Sequence, residues 1–390
     1  MFKIAVIFDS SPFDRKGLFN AVHERIRHLS AAGEYQVDAY CIQSRDNAFT
    51  RAVRHTPEAP CLDVVNLDGV VYNMLWYRFS ILDHILTWKL YRKPCFFRKF
   101  ISSSLKRLEG YDIVIAHSFT GGLLAYELNK KSGTPYFVTW HGSDIHTHPW
   151  RNPMILKDTK LIMSNAKCNF FVSKALMAYS ERILPGVCKQ VLYNGVSEAF
   201  YRFTDVRRAE LRTEYGVDGN VKIVAFVGSL AAVKNVRALQ PVFHNVKKDF
   251  GGNVQFWIVG DGKLRRDVES DMAGDASLDV RFFGNMPAEK MPDIMNCIDV
   301  LVLPSINEGL GMVCAEAIRC GAAVVGSAVG GIPEVVGKDS VVPLGDGFAG
   351  CMAQKIICRL NAPVQYDIPS ELSWHSTCQA ELAALKSVLQ

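Results

Sequence analysis

The sequence predicts an α/β protein built from two doubly wound domains, each a parallel sheet with helices on both faces. Three observations carry this reading. The chain has 390 residues, its composition is that of an ordinary globular protein, 49% hydrophobic and 21% charged, and one pattern recurs in both halves. That pattern is a β-branched apolar run, a Gly- or Ser-punctuated turn and a helical period, the signature of parallel strands crossed by helices. A chain this long suits two domains better than one and buries roughly three quarters of its unfolded surface. It needs no disulfide or metal staple.

Taken in order, the apolar runs predict strands at 3–8, 36–42, 112–116, 136–140 and 169–172 in the first half. In the second they predict strands at 222–227, 254–259, 280–283, 300–303 and 322–325. Between the halves a strand-like run at 190–193 gives way to a turn and a polar helix containing Glu210, Arg212 and Glu214. The domains are therefore expected at 1–200 and 201–374. In such sheets the functional loops lie at the carboxyl ends of the strands, and a cleft between two such domains is the default ligand site.

Charge separates the halves. Of 44 Lys+Arg and 39 Asp+Glu, residues 1–200 carry 25 and 17, or +8, which leaves 19 and 22, or −3, for the remainder. The two halves face different partners. The eleven cysteines include no C-x-x-C and read as small buried hydrophobes in a reducing compartment. The N-terminus opens on a strand-like run with no basic and apolar leader, and no apolar stretch reaches the 18 or so residues of a spanning helix. A cytoplasmic protein is expected, peripheral at the inner face of the cell membrane.

The most informative segment is 303–336, LPSINEGLGMVCAEAIRCGAAVVGSAVGGIPEVV. A strand ends at Leu303, and a helix is expected to begin near Gly309 to Gly311. Glycines leave its first N–H groups unobstructed, and the positive end of the helix dipole suits a diphosphate. Glu308 precedes the helix and Glu316 follows eight positions later, about 12 Å by helical rise. Each carboxylate can accept two hydroxyl hydrogen bonds without a metal. A dipole partner at Glu308 and a solvated helix carboxylate at Glu316 are the structural alternatives.

This stretch resembles the E-x7-E motif of retaining GT-B glycosyltransferases of the "group 1", family 4-like type. Glu308, Gly309, Gly311, Glu316, Ala317, Gly321, Gly330, Gly331 and Glu334 fall in its register, with Leu310 for Phe and Ala323 for Pro. Val227, Gly228, Ser229, Leu230 and Lys234 resemble the family's V-G-R-L-x-x-x-K turn. VGDG at 259–262 resembles its G-x-G turn, and Phe283, Gly284 and Asn285 its F-x-G turn. Ser373 and Trp374 resemble the start of the helix, here about 375–390, that crosses back to the first domain. Tyr193, Asn194 and Gly195 resemble its P-N-G turn, for which a plain Asn-Gly turn is the alternative.

The resemblance implies two Rossmann-like domains facing a central cleft and a sugar-nucleotide donor bound as substrate, with no cofactor. It places Glu316 on the ribose, Glu308 on the donor sugar and Lys234 on the departing diphosphate. Gly17, Gly228, Ser229, Gly260, Gly284, Gly309, Leu310, Gly311 and Met312 complete the implied donor site. Lys234 also suits the chemistry, because the leaving group gains negative charge as the glycosidic bond breaks. Ser229 stands where the family has Arg, so the implied second cation is sought at Arg15, Lys16 or Arg237. No D-x-D occurs, and no metal is expected.

In the first half, His141, Gly142, Ser143 and Asp144 follow an apolar strand directly. By resemblance His141 belongs to the catalytic centre, against the donor sugar, with a satisfied structural histidine as the alternative. Asp144 and His117, the latter in the similar strand-end turn HSFTGG, are candidates for contacting acceptor hydroxyls. Residues 76–107 hold eight Lys/Arg against one Asp, interleaved with eight aromatics. Such a segment suits an anionic lipid surface. Phe97, Phe100, Ile101, Leu105 and Leu108 share one helical face, which is expected to pack on the protein itself, whereas 76–93 is expected to meet the membrane. Nothing resembles a nucleic-acid module.

The expected activity is transfer of a sugar, with retention, from a nucleotide sugar to a saccharide or lipid-linked saccharide in cell-surface polysaccharide synthesis. A sugar-nucleotide 2-epimerase and an inactive scaffold subunit, the latter favoured by Ser229, remain as rivals.

Overall fold

The computed structural model describes residues 2–13, 17–46, 48–54, 60–362 and 367–389. Two compact units emerge, Met1–Gly195 together with Trp374–Gln390, and Val196–Ser373.

The first unit holds strands β1 (Lys3–Phe8), β2 (Gln36–Ser44), β3 (Val64–Leu67), β4 (Val70–Tyr77), β5 (Ile113–His117), β6 (Tyr136–Trp140), β7 (Cys168–Phe171) and β8 (Lys189–Val191). They form one sheet in the order β3-β4-β2-β1-β5-β6-β7-β8. All its pairings are parallel except β3 with β4. β1 and β5 are buried nearly end to end, as strands covered on both faces must be. The helix Gly17–Ala31 buries Phe19, Val22, Ile26 and Leu29 against one face. The returning helix Trp374–Leu389 adds Cys378, Leu382 and Leu385 to the same core. On the opposite face, the helix Ser118–Ser132 approaches so closely that a Cβ on Gly121 would lie 2.6 Å from the Ile7 carbonyl oxygen.

β3 and β4 are a hairpin that the sequence reading missed. Its turn is Asp68-Gly69, both with positive φ, 49° and 82°, the geometry that tight hairpins of this twist require. β4 then lies parallel to β2 and extends the sheet by two strands beyond the expected edge.

The second unit holds β9 (Lys222–Val227), β10 (Val254–Val259), β11 (Val280–Gly284), β12 (Val300–Leu303), β13 (Ala323–Ser327) and β14 (Val341–Val342). The order is β11-β10-β9-β12-β13-β14, all parallel. The order reverses beside β9, so the turns after β9 and β12 open at the switch point where doubly wound sheets bind ligands.

The cysteine reading holds for six residues, 41, 168, 297, 314, 320 and 378, which are buried; Cys61, Cys95, Cys188, Cys351 and Cys358 are exposed instead. Among the described residues no helix is long and apolar enough to cross a membrane.

Candidate active site

In the second unit the site grows from two strand ends. After β9 the chain makes a 3-10 turn, Ala232–Lys234, and after β12 it enters a loop through Ser305. The amide of Ile306 donates to the Val233 carbonyl at 2.8 Å, which binds the two turns together. Lys234 Nζ consequently forms an ion pair with Glu308 Oε2, and Ser305 Oγ lies 3.4 Å from the same oxygen. The two charged side chains are only 20% and 17% exposed, so their attraction is less screened than that of a surface pair. Lys234 is therefore not the solvated lysine that its sequence position alone would allow.

Gly330 supplies the other wall. A Cβ there would sit 1.8 Å from the Glu308 carbonyl oxygen, and its φ of +52° is one that side chains resist. The helix Met312–Arg319 follows, preceded by Gly311 at φ 86°, and no side chain caps its first amides. The Cys314 amide bonds the Gly311 carbonyl at 2.9 Å, which leaves the Met312 and Val313 amides at the start of the helix as donors for an anion. Leu310 is buried beside them and Met312 is half-buried. Because helix begins only at Met312, helical rise does not measure the Glu308 to Glu316 separation.

Glu316 is on that helix and keeps part of its surface open, yet the protein around it pushes the carboxyl up to about 7 by desolvation. It is not the freely solvated carboxylate of the alternative reading.

The three glycine turns also meet. Gly228 N donates to the Val259 carbonyl at 2.9 Å, and Gly260 N to the Gly284 carbonyl at 2.7 Å. A Cβ on Gly260 would fall 2.0 Å from the Gly228 oxygen. Ser229 is exposed. Arg237, sought as its replacement, turns instead to Asp267 at 2.7 Å and Asp271 at 3.7 Å. Arg15 and Lys16 lie outside the described residues. Sequence reasoning overlooked Arg265, which bonds Asp261 and Glu269 and comes within 3.3 Å of where a Gly284 Cβ would stand. Its position just past the G-x-G turn was the available signal.

The first unit carries a second cluster. β5 ends in His117, and His141 follows β6; the register sets the two strand ends side by side. His117 Nδ1 lies 3.1 Å from His141 Nε2. Asp144 accepts the Gly142 amide at 2.7 Å and the His141 amide at 3.1 Å, so its carboxylate holds the turn that carries the imidazole. Burial and nearby Asp9 push Asp144 up to about 6 against the pull of those amides. Burial, with Arg25 second, holds His141 down at about 3, and His117 is likewise held well below the ordinary range. Both rings are neutral near pH 7.

His117 is 1% exposed and lies against His141, and both carboxylate oxygens of Asp144 accept backbone amides, so both residues brace the turn that carries His141. Gly17 opens the helix Gly17–Ala31 on the surface, with nothing within 4 Å of where a Cβ would stand. Burial pushes the carboxyl of Asp9, just past β1, above its ordinary range, and this residue was not singled out from sequence.

The segment 76–107 divides differently from its sequence pattern. Phe100, Ile101, Leu105 and Leu108 are buried as expected. Trp76 donates to the Leu62 carbonyl at 2.8 Å, and Tyr77 stacks on Phe96 with centroids 4.6 Å apart. The exposed apolar side chains are Leu82, Ile85, Trp88, Leu90 and Tyr91.

Comparison with known proteins falls on both units. The family described as "Glycosyl transferases group 1" matches residues 221–361, and "Glycosyl transferase 4-like domain" matches residues 17–194. The chain belongs to the group 1 glycosyltransferases. An uncharacterized glycosyltransferase of Methanocaldococcus jannaschii is 27% identical over 264 residues, 65% of this chain and 64% of that protein. A putative teichuronic acid biosynthesis glycosyltransferase, TuaC of Bacillus subtilis, is 24% identical over 258 residues, 66% of this chain and 63% of its own length. The match thus spans somewhat less than two thirds of these relatives. Among solved structures, Anabaena HepE in complex with UDP-glucose superposes with a TM-score of 0.70 at 17% identity, over 100% of this chain and 98% of that one. The likeness is one of fold, and the fold of this glycosyltransferase family member is GT-B.

Proposed function

We propose that this protein transfers a sugar, with retention of anomeric configuration, from a nucleotide sugar to a saccharide or lipid-linked saccharide acceptor in cell-surface polysaccharide synthesis. The observation that carries the reading is the Lys234–Glu308 pair beside the uncapped start of the helix Met312–Arg319. A diphosphate on those amides would attract the Lys234 ammonium, and the donor sugar's hydroxyls would bond Glu308 in its place. Lys234 then stabilises the charge that grows on the leaving diphosphate. Glu316 takes the ribose, and neutral His141 offers a hydrogen bond to the sugar without repelling a developing positive charge. HepE's complex with UDP-glucose and TuaC's assignment to teichuronic acid synthesis support the donor and pathway classes.

Neither a cofactor nor a metal is assigned a step. The route proposed is a same-face displacement assisted by the leaving diphosphate, and the anomeric proton of the product, read by NMR, tests retention. Lys234→Ala and Glu308→Ala should each lower turnover by about 10²-fold or more with circular dichroism unchanged. Unaltered turnover would remove them from the mechanism. Exposed Ser229 favours a second reading, a scaffold that binds without transferring. Calorimetry with UDP and GDP beside a transfer assay separates the two.

The acceptor is proposed to lie at a membrane. Exposed Leu82, Ile85, Trp88, Leu90 and Tyr91 alternate with exposed Arg78, Lys89 and Arg92, which suits anionic lipid. The protein should float with anionic liposomes, and Arg78, Lys89 and Arg92 exchanged together for Gln should stay in solution. Wild-type protein that stays behind would defeat the membrane part alone.

A further inference from the structure

Arg25 lies inside the first unit with 2% of its surface exposed. Its Nη1 donates to Thr139 Oγ1, and its Nη2 donates to the Leu192 carbonyl and to Asn194 Oδ1, all at 3.1 Å. Glu381 of the returning helix stands 3.6 Å from Nη1 and is itself 1% exposed. Three separated stretches of chain converge on this one guanidinium. Thr139 belongs to β6, just ahead of His141. Leu192 and Asn194 immediately precede the point, Gly195, where the chain leaves the unit. Glu381 belongs to the segment that returns at Trp374.

A wholly buried ion pair is a poor source of stability, because desolvation of both ions offsets their attraction and apolar replacements are often neutral or stabilising. The forked geometry of arginine does something an apolar pair could not: it holds side chains of two stretches and the Leu192 carbonyl at once and brings a positive charge beneath the strand ends. Among the described residues the titratable groups around those ends are few. His117 comes from β5, His141 and Asp144 from the turn after β6, Asp9 from the end of β1, Arg25 from the helix Gly17–Ala31 and Glu381 from the returning helix. Burial is the main cause that holds both imidazoles uncharged, and the positive charge of Arg25 adds to it.

We propose that Arg25, backed by Glu381, is a positioning residue for His141, fixing the end of β6 and disfavouring a second positive charge on the His117–His141 pair. The inference rests on the placing of His141 in the catalytic centre. Its chemistry is electrostatic: burial keeps both rings neutral, Arg25 adds to that, and the hydrogen bond between them sets which nitrogen of His141 carries a proton toward the donor sugar. Removing the cation lets the pair take up a proton at higher pH.

The test compares Arg25→Met/Glu381→Met, which leaves no buried charge unpaired, with Arg25→Lys, which keeps the charge but not the fork. The double variant should melt as cooperatively as wild type, and its kcat should fall about tenfold or more while the donor KM stays within about twofold. The acid limb of its kcat profile should move toward neutral pH. Arg25→Lys should keep the wild-type acid limb with a lowered kcat. Histidine ring NMR titration, which needs no turnover, should show His117 and His141 protonating nearer pH 6.5 in the double variant than in wild type. Unchanged ring titration, or unchanged kcat and pH profile, overturns the inference. If the double variant does not fold, ring titration of Arg25→Lys decides, since rings that protonate as in wild type support the electrostatic role and rings shifted toward 6.5 refute it. Full activity in His141→Ala would instead refute the placing of His141, and the ring titration would still judge Arg25.

Discussion

Glu316 illustrates how far a single residue could be read in advance. Its register in the motif was visible, but its electrostatics depend on what the fold packs around it. The carboxyl is raised from 4.5 to about 7, so between those values the folded chain binds more protons than the unfolded one. Stability therefore falls as pH rises through that window and then levels off. Glu316→Gln should raise the thermal midpoint at pH 8 and leave it unchanged near pH 4, while nucleotide affinity drops in calorimetry. His141 has the opposite slope. Held at about 3 from an ordinary 6.5, it makes the fold less stable as pH falls below 6.5, a loss that His141→Gln should remove from an acid denaturation series. Arg25, Asp9 and Glu381 were not legible as functional at all. An isolated charge in a sequence acquires meaning only when distant strands and helices bring partners to it, and Arg25 meets residues from 139 to 381.

At the level of elements, the strands that legibly repeated one pattern were those covered on both faces, because burial demands continuous apolar runs. The β3–β4 hairpin was missed because it lies at the sheet's edge, with Val64 and Val71 exposed, and its apolar run merges into the aromatic segment. The Asp68-Gly69 dipeptide was the available sign. Loop geometry was legible only where glycine was obligatory. Gly330→Ala should destabilise by about 2 kcal/mol or more in denaturant melts, since its methyl would collide with the Glu308 backbone and its φ is left-handed. Gly17→Ala should stabilise by about 0.5 kcal/mol, because the position is helical and unobstructed. If transfer nonetheless falls in that variant, the glycine serves close approach to a phosphate and not the fold.

For the molecule as a whole, the sequence disclosed two α/β halves of opposite charge, and the comparisons place a different family description on each. What it could not disclose was how the chain passes from one to the other. A Cβ on Gly195 would lie 2.2 Å from the Trp374 amide nitrogen, and Val196 pairs with Ser373, so the outgoing and incoming strands run together. Topologically the second unit is thus an insert whose ends are neighbours, the arrangement that best tolerates genetic excision and circular permutation. A short Gly-Ser splice from 195 to 374 should restore a continuous first unit, and the fragment 196–373 should melt cooperatively and retain nucleotide binding. Such a fragment would let donor preference be measured without any acceptor, and would make donor specificity exchangeable between relatives as a cassette.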